Sequence, residues 1–161
     1  MRRSVLIAMA LVPALFAPIA PAAVAAPAQV VVADSWVKAS SFSDHTGGMT
    51  GVFMKITNKT KRAITLLSGT SSIAAMVETH QVVDGVMSKT ARGIKIMPGK
   101  TVTLEPGGLH VMLMGLKKPI LAGTKVDLTL KFAGASPLVL KPMLAKTAAA
   151  GEETYDPGMK H

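Results

Sequence analysis

Lys125-Val126-Asp127-Leu128-Thr129-Leu130-Lys131-Phe132 alternates polar and apolar residues through its whole length. Successive side chains of an extended chain point to opposite faces, so the run reads as one strand with a buried face and a wet face. Outward from it, further strands read over Val30–Lys38, Met49–Thr57, Ala63–Leu67, Met76–Val83, Gly93–Ile96, Thr101–Leu104, His110–Leu116 and Leu138–Lys141. Turn residues punctuate them at Asn58-Lys59, Asp84-Gly85, Pro98-Gly99, Pro106-Gly107-Gly108 and Ala122-Gly123. Many short strands and no long helical pattern predict an all-β domain, a β-sandwich or small Greek-key barrel.

The ends of the 161-residue chain read differently. Arg2 and Arg3 precede a mostly apolar run from Val5 to Ile19, broken by Pro13 and Pro18, and Ala23-Val24-Ala25 has the small-x-small form of a cleavage site. Residues 1–25 are therefore expected to be a secretory signal rather than a spanning helix, giving a periplasmic or otherwise extracytoplasmic protein. With no cysteine anywhere, lipid attachment at that site is not expected. Residues 26–144 make one domain, long enough to bury a core without disulfides. From Ala145 the composition shifts to Ala, Glu, Thr and Gly, and residues 145–161 read as a flexible tail that ends in Met159 and His161.

The formal charge of +9 is carried by scattered lysines, and aromatic residues make up only 4% of the chain. A nucleic-acid platform needs a basic track interleaved with stacking rings, so that class is set aside. Solubility and weak attraction to anionic envelope surfaces account for the charge. A monomer without nucleic-acid partners or stable membrane insertion is expected. No Gly-x-Ser-x-Gly elbow, His-Glu-x-x-His motif or paired-carboxylate site is present, so an enzyme is not expected.

The candidate chemistry lies in His80 and His110, the latter opening His110-Val111-Met112-Leu113-Met114. On a strand, His110, Met112 and Met114 share one face, so His110 and Met112 can converge on one ion. Imidazole and thioether without thiolate suit Cu(I), a soft ion, and thioether sulfur is not lost to disulfide formation in an oxidising compartment. Met87 follows the Asp84-Gly85 turn and can fold back toward His80 through a hairpin, and Met49 lies in the glycine-rich Gly47-Gly48-Met49-Thr50-Gly51. Met54, Met76, Met97, Met143 and Met114 read as core filler. Blue-copper electron transfer requires a cysteine ligand and is excluded.

Several blocks together resemble the periplasmic copper chaperone family PCu(A)C. They are Met49-Thr50-Gly51-Val52-Phe53-Met54-Lys55-Ile56-Thr57-Asn58, Val77-Glu78-Thr79-His80, Asp84-Gly85-Val86-Met87, Ile94-Lys95-Ile96-Met97-Pro98-Gly99, and Leu104-Glu105-Pro106-Gly107-Gly108-Leu109-His110-Val111-Met112-Leu113-Met114-Gly115-Leu116. The resemblance covers Asp34 to about Phe132 and implies a cupredoxin-like barrel. It also implies one Cu(I) held by a His, Met, His, Met set and passed by ligand exchange to an acceptor such as the copper centre of cytochrome oxidase. His80, His110 and Met112 match three of those positions. The fourth falls on Ala91, or on Lys89 if aligned on Gly85-Val86-Met87, and neither has a thioether. Met49 is preferred for that role because a glycine-flanked loop can bring its sulfur to the barrel mouth. Met87 is the alternate, and a three-ligand site is a further one. The rival reading is a secreted β-sandwich binding or adhesion module without a metal role.

Overall fold

The computed structural model describes residues 29–40 and 48–147. The expected signal segment, and Met159 and His161 of the tail, lie outside the described residues. Among those residues there is no helix, and the fold is all-β. Twelve strands form it: β1 (Val30–Lys38), β2 (Met49–Asn58), β3 (Ile64–Thr70), β4 (Ala74–Val83), β5 (Val86–Lys89), β6 (Ile94–Ile96), β7 (Thr101–Leu104), β8 (His110–Leu116), β9 (Lys125–Val126), β10 (Thr129–Ala133), β11 (Leu138–Val139) and β12 (Met143–Lys146).

Hydrogen bonding orders them β11-β10-β3-β4-β8-β2-β1-β12-β9, with β5, β6 and β7 added on β4, β3 and β2. The pairs are antiparallel except β1 with β12. β9, at one end of this open order, and β10, next to the other end, are separated in the chain by only Asp127 and Leu128. The sheet must therefore curl back on itself, and the inner faces of nearly all strands share one apolar cluster.

That short separation corrects the reading of residues 125–132 as one strand. Val126 pairs with Met143 and Leu130 with Gly69, so the chain crosses from one end of the sheet to the other at Asp127-Leu128. Asp127 turns outward and accepts hydrogen bonds from the Ser72 amide and hydroxyl, while the Leu128 carbonyl accepts from the Leu140 amide. The alternation persists through the crossing because Val126, Leu128 and Leu130 all enter the same core. Two strands escape the sequence reading, β5 and β12. The second carries the ordered domain through Lys146, past the expected boundary at 144, with Ala145 buried opposite Val37.

Candidate metal site

The site is built on the outer face of β4, β8 and β2. Val111 and Leu113 of β8 are fully buried in the core, so His110, Met112 and Met114 project from the opposite face. In antiparallel register His80 pairs with His110, Glu78 with Met112, and Met76 with Met114, so all six share that face. Phe53 of β2 also lies there, its ring centre 6.2 Å from His110 and 4.6 Å from Trp36. Both histidines and Met112 are buried although none belongs to the apolar core cluster.

The fourth side of the cluster comes from β5. Val83 pairs with Val86 across the two-residue turn Asp84-Gly85, whose φ values of 51° and 75° are those of a type I′ turn. The hairpin is held at its far end by the Thr90 amide donating to the Thr79 carbonyl at 2.9 Å and by the buried Thr79–Thr90 hydroxyl pair. Met87 thereby pairs with Val82, and its sulfur lies 3.0 Å from His110 Nε2.

Hydrogen bonds select which nitrogen each imidazole keeps free. His110 Nδ1 donates to the Gly108 carbonyl at 3.1 Å, leaving the Nε2 lone pair directed at Met87. His80 Nε2 faces Glu78 Oε2 at 3.3 Å, and its Nδ1 is buried without a hydrogen-bond partner among the described residues. Lys89, opposite His80 in register, holds the other Glu78 oxygen at 2.6 Å. The Lys89 contact, helped by His80, keeps the Glu78 carboxyl below its usual range despite some desolvation. Burial lowers the His110 pKa, with a smaller contribution from His80, against the opposing Gly108 hydrogen bond. The two ring centres are 5.8 Å apart. That spacing is of the size spanned by two imidazoles on one ion, because metal–nitrogen bonds are about 2 Å long and a ring centre lies roughly one ångström beyond its nitrogen.

Of the candidates named from sequence, the structure brings His80, His110, Met112 and Met87 to one place. Met49 is elsewhere. It pairs with Met114, four residues along β8 from His110, or about 13 Å at strand rise. The Phe53 ring lies over Gly51 between them, so close that a Cβ there would sit 2.6 Å from the ring. The loop freedom expected of Met49 is absent because β2 already begins there, with the Gly48 carbonyl accepting from Leu116. Met54 and Met143 fill the core as read, whereas Met76 and Met97 are 53% and 50% exposed. Glu78 and Lys89 are the site residues the sequence reading misses. Glu78 stands two residues before His80 on the same face, a spacing that could have flagged it.

Among the described residues no group of three His, Cys, Asp or Glu is placed to hold a metal ion. Among the described residues the further soft donors beside the histidine pair are the sulfurs of Met87 and Met112, a set better suited to soft than to hard cations.

Comparisons with known proteins agree with this architecture. The family model described as "Putative lipoprotein LpqE-like" matches residues 30–142. A relative, "Putative lipoprotein Lxx21020" of Leifsonia xyli subsp. xyli (strain CTCB07), is 37% identical over 111 residues, 66% of this chain. The match covers 64% of that relative, so this chain spans somewhat less than two thirds of its length. Two solved structures share the fold. The copper-bound PCuAC domain from PmoF2 superposes with a TM-score of 0.63 at 22% identity, covering 76% of this chain and 97% of that domain. The apo PCuAC domain from PmoF1 gives 0.63 at 19%, covering 75% and 96%. The chain belongs to the LpqE-like family and has the fold of a PCuAC domain.

Proposed function

We propose that this domain is a copper carrier that binds one Cu(I) outside the cytoplasm and passes it by ligand exchange to an acceptor protein, such as the copper centre of a terminal oxidase. The ligands are His80 through Nδ1, His110 through Nε2, Met87 and Met112. The observation that carries the reading is the pair of buried histidines in direct register, each with one nitrogen left free, and a thioether already 3.0 Å from one of them. Two neutral imidazoles and two thioethers match a soft monovalent ion. A fold shared with a copper-bound domain supports the same ion, and the lipoprotein names of family and relative support a place outside the cytoplasm.

Ligand exchange needs donors that can leave singly. Met87 sits on a four-residue strand that, among the described residues, pairs only with β4, whereas His110 and Met112 lie on β8 between β4 and β2. Met87 is thus the ligand an incoming donor replaces first, and the histidines let go afterwards. Glu78, anchored by Lys89, orients His80 as a carboxylate behind a ligating imidazole does.

The test is Cu(I) titration against a chromophoric competitor. The wild type should take up one tight equivalent, lost in His110→Ala. Equal weak binding by both proteins would refute the carrier reading and favour a binding module without a metal.

A further inference from the structure

Beside the histidine pair, the same sheet face carries a second set of soft donors that no role so far accounts for. Met114 of β8 is paired on one side with Met49 of β2 and on the other with Met76 of β4. Directly paired antiparallel residues have Cα atoms about 4.5–5.5 Å apart and share a face, so three thioethers stand abreast across the central strands. Met76 is 53% exposed, and Met49 and Met114 are half-buried. None of the three belongs to the core cluster. Core filling, the usual employment of methionine, therefore does not explain the row, and β-branched residues would suit half-exposed strand positions better.

We propose that Met49, Met114 and Met76 form a second, weaker Cu(I) site, an all-thioether landing platform that feeds the histidine pair. Methionine has three rotatable side-chain bonds, enough for three neighbours in one row to close on a single soft ion. Thioethers are neutral and need no deprotonation, so the platform works at any pH the fold survives. Met112 stands between platform and histidines, two residues from Met114 and two from His110, about 7 Å from each along the strand. It is buried and shares their face, so its sulfur can take the ion from one row and present it to the next. No redox step is involved: copper remains Cu(I) while one lone pair replaces another. The direction of transfer rests on the carrier reading, but binding at the platform stands on the three sulfurs alone.

The experiment is an anaerobic Cu(I) titration of the full chain carrying 13C-methyl methionine, followed by NMR. The first equivalent should shift the methyls of Met87 and Met112, and the second those of Met49, Met76 and Met114. The variant M49L/M76L/M114L, which nearly conserves volume and keeps the fold, should lose the second equivalent and keep the first. If excess Cu(I) leaves the three methyls unmoved, or the triple variant still takes a second equivalent, the platform is overturned. If copper shifts only the three-methionine row, the platform stands and the histidine site fails. Absence of any shift overturns both.

Discussion

On β8, Val111 and Leu113 are sealed in the aliphatic core, while His110, Met112 and Met114, one residue out of step, carry imidazole and thioether. Both faces are held by the same backbone ladder to β2 and β4, yet their composition has little in common. The inner face gains stability by filling volume. The outer face buries two histidines, one with an unpartnered nitrogen, and so gives up stability. The contrast teaches that the core supplies the rigidity with which donor atoms are held, so damage to one face should be separable from damage to the other.

The largest effect tests that separation. Leu113→Ala removes a fully buried side chain and should cost about 2–5 kcal/mol in urea unfolding. The fraction still folded should bind one equivalent of copper as before, and loss of copper binding without loss of fold would break the comparison. Next comes Glu78→Gln, which keeps shape but removes the charge behind His80. Loss of a partner to a ligating histidine typically costs 10–100-fold in metal affinity, readable by competitor titration with the urea midpoint little moved. Gly85→Ala lies between the two faces in effect. A Cβ there meets nothing within 4 Å, so its cost is the strain of φ 75° alone, about 1–2 kcal/mol, and it should loosen the hairpin that carries Met87.

The smallest effect is a pH dependence that arises on the outer face. His110 titrates below its ordinary value near 6.5 because burial disfavours the imidazolium. The unfolded chain therefore takes up this proton first on acidification. Stability is whole above about pH 6.5, falls as pH drops toward the lowered folded pKa, and stops falling below it. Glu78 adds a separate decline at lower pH, through its own depressed folded pKa. Urea unfolding between pH 7.5 and 5 should show the first slope in the wild type and a flatter one in His110→Ala.

Much of this was legible in residues alone. The strand bounds read for β1, β7 and β8 match the structure, and Asp84-Gly85 signals the hairpin because few residue pairs tolerate two positive φ values. His110-Val111-Met112 placed two donors on one face by the strand period itself. What the sequence could not carry was long-range register. From residues alone Met49 is preferred to Met87, but pairing puts Met49 beside Met114 and Met87 beside His110. The crossing at Asp127-Leu128 is invisible for a similar reason: the period of two survives while the neighbour changes. Met76, read as core filler, is exposed, because an exposed and a buried methionine have the same letter and only its place on the outer face distinguishes them.

The unpartnered Nδ1 of His80 has a consequence for the protein's lifetime. A buried polar atom left unsatisfied costs about 1–3 kcal/mol, and a bound ion removes that cost while adding its own binding energy to the folded state. On the carrier reading, empty and loaded molecules then differ in how often they open to proteases, and so in how long they survive. Turnover would cull the empty molecules when copper is scarce, making the abundance of the carrier a gauge of the metal it serves.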